Sequence, residues 1–177
     1  MHHKLSYRQS VMADPKYNYP FPGTVIQIAL RPSSDSAVEL VDSVVADFEA
    51  GLIGDRFNGK ADSKRQVTLI QQEHLDVVAG LLQIESVDHQ QTRRNILVSG
   101  INLTSLKEKQ IQIGEATFLI TGGCPPCSKM ETTISPGALN AMRGHGGVTA
   151  TVLETGTIKV GDSVKALTVE EQITVEA

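Results

Sequence analysis

The chain has 177 residues, 40% of them hydrophobic, which suffices for one domain with a real core and is short for two. Its net charge of −4, from 16 basic and 20 acidic side chains, leaves no basic field to hold nucleic acid or an anionic membrane. There is no Trp and only 4% aromatic content, which argues against base-stacking platforms, so any anion site has to be local.

Residues 1–22 are polar, with Tyr and Pro but no period, and read as an N-terminal arm. His2 and His3 belong to that loose end rather than to a metal site, and Tyr7, Tyr17, Tyr19 and Phe21 either fold back on the chain or pack on a second copy. The arm has no apolar signal region, and no run of ~18 apolar residues occurs anywhere, so a cytoplasmic protein without membrane contact is expected.

From Gly23 onward come short apolar stretches rich in Val, Ile and Thr: "TVIQIAL", "VELVDSVVADF", "VTLI", "NILV", "IQIGEATFLIT", "TATVLE" and "TIKVGDSVKAL". Gly114-Glu115 and Thr155-Gly156 look like hairpin turns between them. Closely spaced strands of this kind predict a sandwich or barrel. Two helices interrupt the pattern. "QQEHLDVVAGLLQ" puts Leu75, Val78, Leu81 and Leu82 on one face, with His74 and His89 expected at the surface or at caps. "SPGALNAMRG" offers Ser135 as cap, Pro136 at the first helical position and Gly144 as the left-handed stop.

Cys124 and Cys127, in "CPPCSKM", are the only cysteines. A dithiol motif of the thioredoxin kind needs a long helix starting at the motif inside a parallel frame, and "SKMETTISPG" does not supply one. A structural zinc site needs four ligands, and His145 is the sole histidine nearby. What remains is one working thiolate, or two small buried apolar residues. Around them lie three stretches suited to an anion. "GLIGDRF" and "GKADSKRQ" carry Arg56, Lys60, Lys64 and Arg65; "TRRNILV" carries Arg93, Arg94 and Asn95; "RGHGG" is a bare glycine-rich loop.

In this order, "GLIGDRF", "RQVTLIQQEHL", "RRNILVSGINL", "CPPCSKM" and "RGHGGVTATVLETGTIKVGD" resemble the MOSC domain family, named for the C-terminal domain of molybdenum cofactor sulfurases. The resemblance spans residues 23–167 and leaves 168–177 as a C-terminal tail. It implies a mainly β fold, a closed or partly closed β-barrel similar to the pyruvate kinase β-barrel domain, with a few short helices. It also implies a cysteine that coordinates the molybdenum of a molybdopterin cofactor or carries sulfur as a persulfide.

The proline-cysteine element of the family falls on Pro126-Cys127, so the resemblance makes Cys127 the catalytic thiolate and metal ligand, and Cys124 the extra cysteine. Arg56, Arg65, Arg93, Arg94 and Asn95 then form the shell for the cofactor phosphate, and Gly147 leaves room for the pterin. Two activities stay open. One is a molybdenum-dependent oxidoreductase that reduces N-hydroxylated compounds and draws on an electron-donor reductase. The other is a sulfur carrier for metal-sulfur cluster or cofactor assembly, charged by a sulfur-donor desulfurase. Within these 177 residues neither the N-terminal β-barrel domain of the amidoxime-reducing members nor the aminotransferase-like domain of the sulfurases is expected.

Overall fold

The computed structural model describes residues 15–173; the expectations for His2, His3, Tyr7 and the last four residues lie outside the described residues. Within them are eleven strands: β1 (Gly23–Leu30), β2 (Glu39–Val41), β3 (Ser43–Asp47), β4 (Gly51–Leu52), β5 (Val67–Gln71), β6 (Ile96–Ser99), β7 (Gln110–Ile113), β8 (Ala116–Gly123), β9 (Val148–Glu154), β10 (Gly156–Lys159) and β11 (Ser163–Ala166). Seven of them close a barrel in the order β11-β7-β8-β9-β5-β6-β1, with β1 returning onto β11 through Gly23↔Val164. Of the sandwich or barrel that the strand pattern left open, the chain adopts the mainly β barrel that the family resemblance implied.

Only β5 and β6 run parallel, and a parallel pair needs a long crossover. Helices α1 (Gln72–Leu82) and α2 (His89–Thr92) supply it. The crossover explains why "VTLI" and "NILV" are apolar on both faces. Leu69, Ile96 and Val98 point into the barrel, whereas Ile70 and Leu97 point outward under Leu75, Val78 and Ala79 of α1. Met130, Ala138 and Met142, from α3 (Met130–Thr133), α4 (Ala138–Ala141) and the residue after it, join that outer layer.

Three expectations are corrected. Leu81 is 61% exposed, because the buried face of α1 runs through Leu75, Val78, Ala79 and Leu82, positions that recur at helical spacing, and Leu81 falls outside it. "SPGALNAMRG" forms only the single turn α4. Gly137 has φ +92°, so Pro136 stays outside the helix, and the Glu131 carboxylate rather than Ser135 accepts the Gly137 and Leu139 N–H groups at 2.8 and 2.7 Å. Thr155-Gly156 is not a hairpin: β10 leaves the barrel and pairs with β3 in a three-stranded sheet with β4. Gly114-Glu115 does form its hairpin, joining β7 to β8 through Ile113↔Ala116.

The described part of the arm folds back on its own barrel. Lys109 Nζ lies 5.1 and 5.0 Å from the ring centroids of Tyr17 and Tyr19 and donates to Tyr19 Oη at 2.8 Å, which in turn donates to the Ser105 carbonyl at 2.9 Å.

Candidate functional site

Four segments meet at one end of the barrel around a cavity of about 590 Å³: the end of β1, the loop from β4 to β5, the junction of α2 with β6, and the stretch from the end of β8 to α3. Each is tied down by backbone hydrogen bonds. Asp55 Oδ1 accepts Arg31 N–H at 2.9 Å, and Arg56 N–H donates to Arg31 O at 2.9 Å, fastening the β4–β5 loop to β1. Buried Gln66 holds the far end of that loop, donating to Phe48 O and Ala61 O and accepting from Val152 N–H. Asn95 spans three strands, its Oδ1 accepting from Thr68 N–H at 3.0 Å and its amide donating to Ala29 O at 3.3 Å. Asn95 lines the cavity, but these polar atoms hold the barrel together.

Arg94 is 8% exposed and, among the described residues, has no carboxylate partner. Its guanidinium donates to four carbonyls instead: Gly146 at 2.7 Å, Thr92 and Cys124 at 3.0 Å, and Pro125 at 3.3 Å. It therefore clamps the cysteine segment to the "RGHGG" loop. Burial draws its pKa below the ordinary guanidinium value; Cys124 and Cys127 oppose the shift, and the neighbouring Arg65 and Arg93 add to it. A guanidinium stays charged even so, and the clamp leaves a fixed positive charge under both thiols.

The other cations are less engaged. Among the described residues no hydrogen bond or salt bridge takes the side chain of Arg56, Arg93 or Lys129, all of which line the cavity. Arg31 and Lys129 are cations of the lining that sequence reasoning missed, and Arg31 is the more buried of the two. Among the described residues Arg31 Nε and Nη1 are buried with no partner, and the Arg31 pKa is lowered by burial and then by Arg93 and Arg56. Six cationic side chains, Arg31, Arg56, Arg65, Arg93, Arg94 and Lys129, thus face one carboxylate, Asp55. Guanidiniums crowded in this way repel one another, and an anion among them would relieve that repulsion.

The two cysteines are unequal: Cys124 is buried and Cys127 exposed. Arg65 Nη2 donates to Cys124 Sγ at 3.7 Å, within reach for a sulfur acceptor. Both cysteines line the same cavity, yet the segment between them forms no turn. Cys124 and Pro125 each precede a proline, which confines both to extended conformations. Three such steps of ~3.1 Å separate the Cα atoms by ~9 Å, beyond the ~7 Å that a disulfide tolerates. Both cysteines are free, and Cys127 is the exposed thiol of the two.

A family model for the MOSC domain matches residues 48–165, which include all of these segments except the end of β1. The chain belongs to the MOSC domain family. Solved MOSC-like folds agree with the barrel. The YuaD protein from Bacillus subtilis superposes with a TM-score of 0.72 at 20% identity, covering 81% of this chain and 94% of its own. YiiM from Geobacillus stearothermophilus gives 0.67 at 16% identity, covering 83% and 76%. YiiM from Escherichia coli gives 0.64 at 18% identity, covering 84% and 71%. At these identities the likeness is one of fold. No curated protein matches the chain.

In this MOSC domain the "RGHGG" loop serves the site from below. Gly147 is not in the cavity lining; its carbonyl accepts Cys124 N–H at 2.8 Å, and a Cβ on it would sit 2.1 Å from Leu69 O. The expected bare wall for a pterin is instead a tight backbone crossing. His145 is half-buried, its ring 5.1 Å from that of His74, and it too stays out of the lining. Among the described residues no group of three or more His, Cys, Asp or Glu side chains is placed to hold a metal ion, and no helix is long and apolar enough to cross a membrane.

His89, expected at the surface or at a cap, directly follows the N-cap Asp88 of α2 but is 2% exposed, next to the arginine junction. Neither ring nitrogen reaches a hydrogen-bond partner at good geometry. Burial pushes its pKa down to about 4, the Arg94 backbone and Asp88 opposing without cancelling the shift. The folded state then keeps His89 neutral where the unfolded chain, near 6.5, already takes a proton. Its stabilising contribution is complete above pH 6.5 and is lost as pH falls toward 4, by about 3 kcal/mol in all. Denaturant titrations of wild type and His89→Gln should diverge in slope between those pH values. Parallel curves would remove His89 from the account.

Proposed function

We propose that this MOSC domain binds a molybdenum cofactor through the Cys127 thiolate. The observation that carries the reading is one exposed thiol on a cavity where six cations face one carboxylate. The donor set suits the group. A thiolate is a soft ligand matched to a sulfur-rich metal centre, and the unpaired guanidiniums of Arg31, Arg56 and Arg93 suit a terminal phosphate by forked hydrogen bonds. The cavity is also of the size that small-molecule cofactors occupy.

When bound, the cofactor supplies two-electron oxygen-atom chemistry at an N–O bond. The chain does the rest. Arg94 fixes the cysteine segment through the Cys124 and Pro125 carbonyls, so Cys127 presents its sulfur without reorganisation. Arg65 and Lys129 line the same cavity as Cys127 and add positive charge to it. Electrons come from an external reductase.

Protein purified from a host that makes the cofactor should carry molybdenum and pterin near one equivalent. Cys127→Ser should lose at least about tenfold of both, a coordination bond being worth more than ~1.4 kcal/mol. Cys124→Ser should keep most, because Cys124 is buried beneath Arg65. Equal loss in both variants would contradict the assignment. Protein without molybdenum that gains the mass of one sulfur atom on Cys127 would favour the sulfur carrier, charged by a desulfurase.

A further inference from the structure

We propose that the ring contact between His74 and His145 is a proton-sensitive latch: it holds the "RGHGG" loop against α1 at neutral pH, and a proton on both rings loosens the grip of that loop on the cysteine segment. The proposal goes beyond the cofactor reading and does not depend on what Cys127 carries.

Every link from the histidines to the cysteines is a direct contact. The His74 ring, on α1, meets the His145 ring edge-on, with centroids 5.1 Å apart and planes at 81°. His145 Nδ1 donates to Ala141 O at 3.1 Å, and His145 N–H donates to Met142 O at 2.9 Å, which fixes the ring at the end of α4. The next two residues carry the cysteine segment. Gly146 O accepts Arg94 Nε at 2.7 Å, and Gly147 O accepts Cys124 N–H at 2.8 Å. Gly146 is also pressed onto that segment, since a Cβ on it would collide with Cys124 O. A displacement of His145 therefore reaches Cys124 through two residues of backbone.

Neutral rings suit an edge-to-face contact, and a first proton is tolerated, because a charged edge still meets the face of a neutral ring. A second proton sets like charges 5.1 Å apart where water screens them incompletely. His74 is also poorly placed for a proton: its Nδ1 is buried and, among the described residues, has no hydrogen-bond partner. Burial and then His145 lower its pKa from 6.5, with Glu73 opposing. The released ring takes a proton more readily than the latched one. The latch is thus complete above pH 6.5 and weakens as pH falls below it. The other charged groups around the pair are Glu73 and Asp76 on α1, Arg143 at the start of the loop, and Arg94, bonded to Gly146. The elements packed on α1, namely β5, β6 and α4, carry no titratable side chain.

Hydrogen exchange at the Cys124 N–H, read by NMR on the full chain and corrected for the intrinsic pH dependence of exchange, tests the latch. Between about pH 7.5 and 5.5 its protection should fall by roughly tenfold, the change that one additional proton on the released state brings over one pH unit. The Val25 N–H, which donates to Asp162 O at 2.9 Å, is the reference and should change less than about twofold. His74→Phe keeps a ring in the contact without a titrating nitrogen, and should hold the protection of Cys124 level over that range. His74→Ala removes the contact and should lower the protection by a similar factor at both ends of the range. Wild-type protection that does not change with pH overturns the proposal, as does a wild-type pH dependence that survives in His74→Phe. An equal fall at Val25 also overturns it, because that would be a global loss of stability of the kind His89 brings as pH approaches about 4.

Discussion

Arg94→Ala is expected to lower stability by about 2–4 kcal/mol and the melting temperature by roughly 10 °C. Two effects oppose each other. Removing a buried cation relieves its desolvation and its repulsion with Arg65 and Arg93. Against that, the carbonyls of Gly146, Thr92 and Cys124 lose a charged donor at 2.7–3.0 Å in a place that water does not fill easily. Unpaired buried acceptors cost about 1–3 kcal/mol each, and three of them outweigh the relief. The local consequence is specific: the cysteine segment comes loose from the "RGHGG" loop, and Cys124 becomes open to alkylation. Arg94→Lys should recover less than half of the stability, since an ammonium cannot span the same fork. Thermal melts together with Cys124 labelling check both statements. A variant that melts like wild type and keeps Cys124 protected would show that the clamp is not what positions the thiol.

Gly147→Leu should abolish folding rather than merely obstruct the cavity. Gly147 has φ +87°, where L residues are strained, and the Cβ it lacks would lie 2.1 Å from Leu69 O and 3.1 Å from the Leu69 carbonyl carbon. Backbone cannot yield there without breaking the β5–β9 ladder, whose register includes Leu69↔Val148. The cost should exceed about 4 kcal/mol, the range reserved for such clashes. Gly144→Ala is the matched comparison. It has a similar φ of +79° but open space around the Cβ position, and should cost only about 1 kcal/mol. Circular dichroism melts of the two variants separate conformational strain from steric collision. Comparable stability in both would contradict the tight crossing.

Much of the site was legible because its residues sit next to strong strand signals. Arg65 precedes the "VTLI" run, Arg93 and Arg94 precede "NILV", and the cysteines follow "ATFLIT", so all lie at strand ends, and closing the barrel gathers those ends. Arg31 was not legible. It follows the apolar end of β1 and precedes Pro-Ser-Ser, a context identical to a solvated loop charge. Only the pairing of β1 with β6, in which Ala29 N–H donates to Asn95 O at 2.7 Å, brings it beside Arg93. Thr155-Gly156 misled for the complementary reason. A turn-like pair between two strands says nothing about whether the second strand returns to the first, and β10 goes to β3. His89 lay hidden because α2 is four residues long, too short for a periodic pattern to mark its buried side.

X-ray absorption at the molybdenum edge, on protein loaded with cofactor, addresses the role of Cys127 most directly. The assignment of Cys127 as metal ligand predicts a sulfur neighbour of molybdenum in wild type and in Cys124→Ser that is missing from whatever molybdenum Cys127→Ser still retains. An unchanged sulfur shell in Cys127→Ser would contradict it.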